Sequence, residues 1–215
     1  MFSRRAASVV GVLAILALVR FSAAATVLDF EGLQNLEPID NFYNGGLGGF
    51  GSGPGPNYGI TFSNNSLALI DQGSGGTGVQ SNEPSPPTVA FFLSGSAATM
   101  NVPAGFDTGF SFYYSAFVNG SVTVFDGLNG TGNVLATLNL PANGAPNTFT
   151  PVGVSFAGTA MSVDFSGSAN LVAFDNITLG ASVPVAPSAV PVPQAAWGGL
   201  VLLGALLVRR KLQSA

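Results

Sequence analysis

The polar and apolar positions of this chain alternate in short runs. They fall at Thr26 to Phe30, Gly59 to Ser63, Leu67 to Asp71, Thr88 to Leu93, Ala98 to Val102, Gly109 to Ser115, Ser121 to Asp126, Val134 to Leu140, Phe149 to Phe156, Met161 to Ser166 and Leu171 to Leu179. Gly, Asn and Pro punctuate them, and no window of ten or more residues between the two ends carries a helical period. The pattern predicts about eleven short strands in an all-β, antiparallel β-sandwich. Within Ser121 to Phe125, strand alternation puts Val122 and Val124 on one face and Thr123 and Phe125 on the other. Most of the 17 Phe fall on such runs. A Phe-rich core burying roughly 150–250 Å² per ring needs no disulfide.

Two long stretches break the pattern. Asn44 to Gly59 is half Gly and reads as a surface loop or arch with no core of its own. No Lys follows it, so it is not a phosphate loop. Gln72 to Pro87 is a second polar, Gly-rich loop, and loops of this length are functional or mobile.

The ends read as addresses. Met1 to Arg5 is a positive n-region, Ala6 to Val19 is apolar, and Ala23-Ala24-Ala25 has the small-residue form that signal peptidase accepts, with cleavage expected after Ala25. At the other end a Pro-rich spacer leads into Ala195 to Val208 and then Arg209-Arg210-Lys211. Fourteen helical residues reach about 21 Å, a short span for a bilayer. Trp197 and the basic cluster supply interfacial anchors, and the positive-inside rule leaves the body outside. A GPI signal would end in the apolar run rather than in a basic stop. The division is therefore a signal peptide over 1–25, a sandwich over 26–180, a Pro-rich linker with a sorting motif over 181–194, and a transmembrane helix with basic tail over 195–215.

Charge narrows the function. Only 7% of the 215 residues are charged, and all six basic residues lie in the two ends, while the ten acids lie between them. From Thr26 to Gln194 the body carries about −10 with no countercharge, which excludes nucleic acid as a partner and favours cations. Such a surface stays soluble through Ser, Thr, Asn and Gly. With no Cys and no His, the chain has no thiol or imidazole nucleophile or base, no Ser-His-Asp triad and no disulfide.

Val190-Pro191-Val192-Pro193, followed by a short apolar segment with Trp197 and a terminal Arg-Arg-Lys, resembles the PEP-CTERM sorting signal, in a form nearer its VPLPA-type variant. That resemblance implies export, processing near Pro191 to Gln194 by an exosortase-type enzyme, and delivery to the cell envelope, the cell surface or an exopolysaccharide matrix. The body, opening at Asp29-Phe30-Glu31 and closing at Phe174-Asp175-Asn176-Ile177, resembles the jelly-roll sandwiches of carbohydrate-binding modules. In that family the terminal strands lie together and their acids often bind a structural Ca²⁺. The resemblance implies Glu31 and Asp175 as ligands, with Asp29 a further one. The open alternative is that these acids end strands or cap turns.

Residues i and i+2 share a strand face, so Asp29 and Glu31 are expected to converge while Phe30 enters the core. Tyr43, Phe50 and Tyr58, in or beside the Gly-rich loop, are candidates for stacking on sugar rings of a polysaccharide. The competing reading makes them core. The function class expected is a structural or glycan-associated surface protein. Its alternative is a small carbohydrate-active hydrolase using a pair of carboxylates, although no pair is marked by spacing.

Overall fold

The computed structural model describes residues 25–167 and 169–185. Ala23, Val190, Pro191, Val192, Pro193, Trp197, Arg209, Arg210 and Lys211 lie outside the described residues, as do the expected signal and anchor helices. Among the described residues no helix is long and apolar enough to cross a membrane.

Among the described residues eleven strands form in chain order: β1 Thr26–Leu28, β2 Thr61–Phe62, β3 Ser66–Ile70, β4 Thr88–Phe92, β5 Ala97–Phe106, β6 Gly109–Ala116, β7 Gly120–Phe125, β8 Val134–Leu140, β9 Thr150–Ser155, β10 Ala160–Ser166 and β11 Val172–Leu179. The first sheet runs β3-β4-β11-β6-β9 with β1 added to β11, and the second runs β2-β5-β10-β7-β8. All named pairs are antiparallel. Two stacked antiparallel sheets meet the sandwich expectation.

Alternation drives the stacking. Ala90, Phe112, Tyr114 and Phe174 of the first sheet face Met100, Val122, Val124, Val163 and Phe165 of the second in one buried cluster. Phe165 and Phe174 meet edge to face at 4.8 Å, and Phe112 lies 5.6 Å from Phe174. Val122 and Val124 are fully buried while Thr123 and Phe125 are half-buried on the opposite face, as the alternation requires.

The outer faces differ in chemistry. Strand register aligns Thr99, Asp164, Thr123 and Thr137 in one row across the second sheet, with the Thr99 hydroxyl donating to Asp164 at 2.6 Å. Register across the first sheet aligns Leu67, Phe91, Ala173 and Ser115 instead. One face is solvated through hydroxyls; the other is largely apolar.

β11 changes partners along its length. Its Ala173 and Phe174 pair with β4, and its Ile177 to Leu179 pair with β1. Between them the register shifts after Asp175, and Asn176 takes φ +47°. The exposed side of β3 is covered by the 36–39 segment, which exchanges backbone hydrogen bonds with Ser66 and Ala68 at 2.8–3.0 Å. That cover blunts a sheet edge otherwise open to pairing.

The expected strand from Thr26 to Phe30 stops at Leu28, because Phe30 has φ +63°. This turn drives the Phe30 ring into the core and points its N–H at the Tyr43 hydroxyl, 2.6 Å away. Asp29 and Glu31 therefore do not share a strand face. Asp29 Oδ1 instead accepts the Glu31 N–H at 3.3 Å within the turn.

The Gly-rich loop forms no strand but is built around a buried carboxylate. Glu37, fully buried, accepts the N–H groups of Gln34 (2.7 Å), Phe50 (2.8 Å) and Ser52 (3.0 Å) and the Ser52 hydroxyl (2.5 Å). Gly48 packs so closely on it that a Cβ there would lie 2.6 Å from Glu37 Oε1. The sequence alone gave no sign of this residue's role.

Candidate ligand groove and acidic seam

A groove of about 440 Å³ opens on the apolar outer face of the first sheet. Leu69, Phe91, Ala173 and Ser115 line it from β3, β4, β11 and β6. They alternate with Ala68, Ala90, Phe174 and Tyr114, which point into the core. The strand period that fills the sandwich thus also supplies the groove. Thr77 to Gln80 line it from the long loop before β4, and Phe117, Leu171 and Pro146 line it from other connections. Among the described residues no charged side chain lines it, and the volume falls in the range of small-ligand sites.

The 77–87 loop is a strap fastened at several points. Gly78 N–H donates to Ile70 O at 2.9 Å, and the Gln80 amide donates to Leu69 O at 3.1 Å. The Ser81 hydroxyl and the Asn82 amide reach Asn147 at 2.9 and 3.2 Å. At its far limb the Ser85 N–H donates to Asp175 Oδ2 at 2.7 Å and the Ser85 hydroxyl to Asn176 Oδ1 at 2.6 Å. A Cβ on Gly76, just before the strap, would collide with the Ile70 carbonyl oxygen, so only glycine lets the chain pass this close.

The acids singled out from the sequence sit where β11 exchanges β1 for β4. Asp175 is fully buried, and its Oδ1 accepts the Asn176 N–H at 2.7 Å. Glu31 Oε1 accepts the Thr88 N–H at 3.0 Å at the start of β4. These carboxylates take N–H groups that the interrupted ladder leaves unpaired. Burial pushes the Asp175 carboxyl up to about 8; the Ser85 and Asn176 N–H groups oppose the shift, and Glu31 and Asp29 add to it. Burial also raises Glu31, against the Thr88 hydrogen bond and with help from Asp29 and Glu83. Glu83, in the strap, is raised by burial and has a buried Oε1 with no partner among the described residues.

Among the described residues no three acidic side chains come together at metal-ligand spacing. Both Asp175 oxygens are engaged by backbone N–H groups, and Asp29 is exposed. In this structure the three acids accept backbone N–H groups, and calcium at Glu31, Asp175 and Asp29 rests on the resemblance alone.

The aromatic candidates separate in the same way. Tyr43 is 1% exposed, packed edge to face on Phe30 and Phe42, and so offers no face to a sugar. Tyr58, 46% exposed, stacks over it with ring centroids 6.2 Å apart. Phe50 is exposed, and neither it nor Tyr58 lines the groove. A three-ring platform is not formed. Val79, Leu93 and Phe117 were missed as candidates; the signal was their apolar character just outside strands or inside a polar loop.

No family model and no curated protein matches the chain. Among solved structures it is similar to a family 6 carbohydrate-binding module, at 20% identity over 55% of this chain and 85% of that one, with TM-score 0.40. It is also similar to the cleaved adhesin domain of Lys-gingipain, at 11% identity over 73% and 99%, with TM-score 0.45. A third likeness is to a glycoside hydrolase family 43 arabinoxylan arabinofuranohydrolase from Bacillus subtilis, at 19% identity and TM-score 0.38; it covers 55% of this chain and only 25% of the hydrolase. These are distant likenesses of strand arrangement and carry no information about ligand or activity.

Proposed function

We propose that this chain is an exported, non-catalytic β-sandwich of the cell surface or extracellular matrix that associates with glycan through the groove on its first sheet. The observation that carries the reading is the groove itself: ligand-sized, uncharged, and mainly apolar with a few amides and hydroxyls. Recognition sites for neutral ligands combine apolar walls with a small number of polar groups in this way. The opposite outer face, with its hydroxyl row, is built for water.

The hydrolase alternative needs two carboxylates flanking a scissile bond. No Asp or Glu lines the groove, and Glu31 and Asp175 are committed to backbone N–H groups. The sorting part of the proposal rests on the sequence of the two ends: signal peptidase removes 1–25, an exosortase-type enzyme acts near Pro191 to Gln194, and the membrane holds the segment around Trp197 in the interval.

Affinity electrophoresis of the full-length protein through gels cast with neutral polysaccharides, run beside a reducing-sugar release assay, tests the binding reading. Retardation without release is expected, whereas release of reducing ends would establish the enzyme. Terminal peptide mapping of protein recovered from the cell envelope tests the sorting reading. It should find chains starting near Thr26 and lacking Arg209 to Lys211.

A further inference from the structure

The groove has less hydrogen-bonding capacity than its composition implies. Gln80 spends an amide N–H on Leu69 O at 3.1 Å, and the Ser115 hydroxyl donates to Pro146 O at 3.4 Å. Thr77 Oγ1 accepts the Asn35 amide at 2.9 Å. Asn170 and Thr77 are exposed polar residues of the lining, but the large side chains that project from the walls are apolar: Val79 is 58% exposed, Leu93 51%, Phe117 48% and Leu36 36%. Three of these four are aliphatic.

A sugar ring with a hydroxyl on every free carbon would trade water for methyl groups on entering, and unpaired hydroxyls are costly to desolvate. A ring carrying an acetyl ester or a 6-deoxy methyl group brings apolar atoms that need no partner and gain from leaving water. Charge narrows the choice further. The described residues contain no Lys, Arg or His, so uronic or sulfated chains meet only repulsion from the acids.

We infer that the groove selects neutral polysaccharide bearing methyl-terminated substituents, O-acetyl or 6-deoxy, which pack against Val79, Leu93 and Phe117. The inference rests on the glycan reading above and specifies its ligand class. The strap positions Val79 through the Gly78 and Gln80 hydrogen bonds, so the selecting wall is held in place before ligand arrives.

Titration calorimetry of the full-length chain with acetylated xylan oligosaccharides, and with the same oligosaccharides after alkaline deacetylation, tests it. A rhamnan arm reports on the 6-deoxy group, and a polygalacturonate arm on charge. The acetylated form should bind about tenfold more tightly than the deacetylated form. Phe117→Ala and, separately, Val79→Ser should erase most of that difference. Equal affinity for the two xylan forms, or tighter binding of the polygalacturonate, would overturn the inference while leaving a glycan-binding protein. Absence of binding in every arm would overturn both readings.

Discussion

Ser85 and Asp175 lie 90 residues apart in sequence, yet the Ser85 N–H donates to Asp175 Oδ2 at 2.7 Å, at the point where β11 passes from β4 to β1. The contact ties the strap beside the groove to the middle of the first sheet. It also explains why an acid stands in a fully buried position with no base among the described residues: the carboxyl oxygens replace a missing strand as acceptors.

That arrangement fixes the sign of a pH effect. The folded Asp175 carboxyl titrates at about 8 against an ordinary 3.8, so the protonated form is the one the fold prefers. Its contribution to stability is fully present below the ordinary value and is lost as pH rises through about 8. Glu31, raised from 4.5, adds in the same direction. Thermal melts from pH 5 to 9.5 should therefore fall toward alkaline pH. Asp175→Asn should flatten that slope, even though the amide forfeits one acceptor and lowers the melt at pH 5. An unchanged slope in the variant would separate the effect from Asp175.

Glu37 works with the opposite sign. Burial opposes its charge, but the Ser52 hydroxyl and the N–H groups of Gln34, Ser52 and Phe50 outweigh it and hold the carboxyl below 4.5. Its contribution is present above the ordinary value and is lost as pH falls through the lower folded value. Hydrogen exchange of amides in 44–59 should accelerate selectively in acid, after correction for intrinsic rates. Glu37→Gln should reproduce the loosening at neutral pH, at a cost of about 1–3 kcal/mol in urea denaturation. A variant with wild-type protection in this loop would remove Glu37 from its role.

Much of the fold was readable because its signals are local. Alternation in Ser121 to Phe125 needs only adjacent side chains, and the eleven strand positions follow from such runs and their turn residues. The order of strands in each sheet depends on pairings such as Thr26 with Leu179, which no local pattern encodes. Asp29 and Glu31 failed as a same-face pair because one residue between them, Phe30, adopts φ +63° to reach the core. Tyr43 failed as a sugar platform because Phe30, Phe42 and Phe62 surround it, a tertiary fact. Glu37 carried no motif at all, since its partners are three backbone N–H groups and a hydroxyl 15 residues away. The groove was foreshadowed only by the length of the polar loop Gln72 to Pro87, which contains its strap.

The strap can be loosened from Gly76, a residue that does not itself line the groove. Gly76→Ala sets a Cβ against the Ile70 carbonyl oxygen, and the chain must retreat from β3 to relieve it. Glycan affinity should drop severalfold while the melting temperature moves by only a few degrees, because the residue lies in a loop outside the sandwich core. Calorimetry and a thermal melt on the same preparation check both halves.

Phenylalanines on the two sides of the first sheet should respond in opposite ways. Phe174, 2% exposed and 4.8 Å from Phe165, joins the two sheets, so Phe174→Ala should cost about 3–5 kcal/mol in denaturant unfolding. Phe117, 48% exposed at the rim of the groove, has little packing to lose, and Phe117→Ala should stay within about 1 kcal/mol of wild type. Binding should invert the order. Phe117→Ala should lose most of its affinity for substituted neutral glycan, whereas the folded fraction of Phe174→Ala should retain it, since its ring faces away from the groove. Urea titration of each variant, followed by calorimetry scaled to the folded fraction, measures both. A Phe117→Ala protein that binds as wild type would place the ligand elsewhere on the molecule, and the exposed pair Phe50 and Tyr58 would be the next rings to substitute.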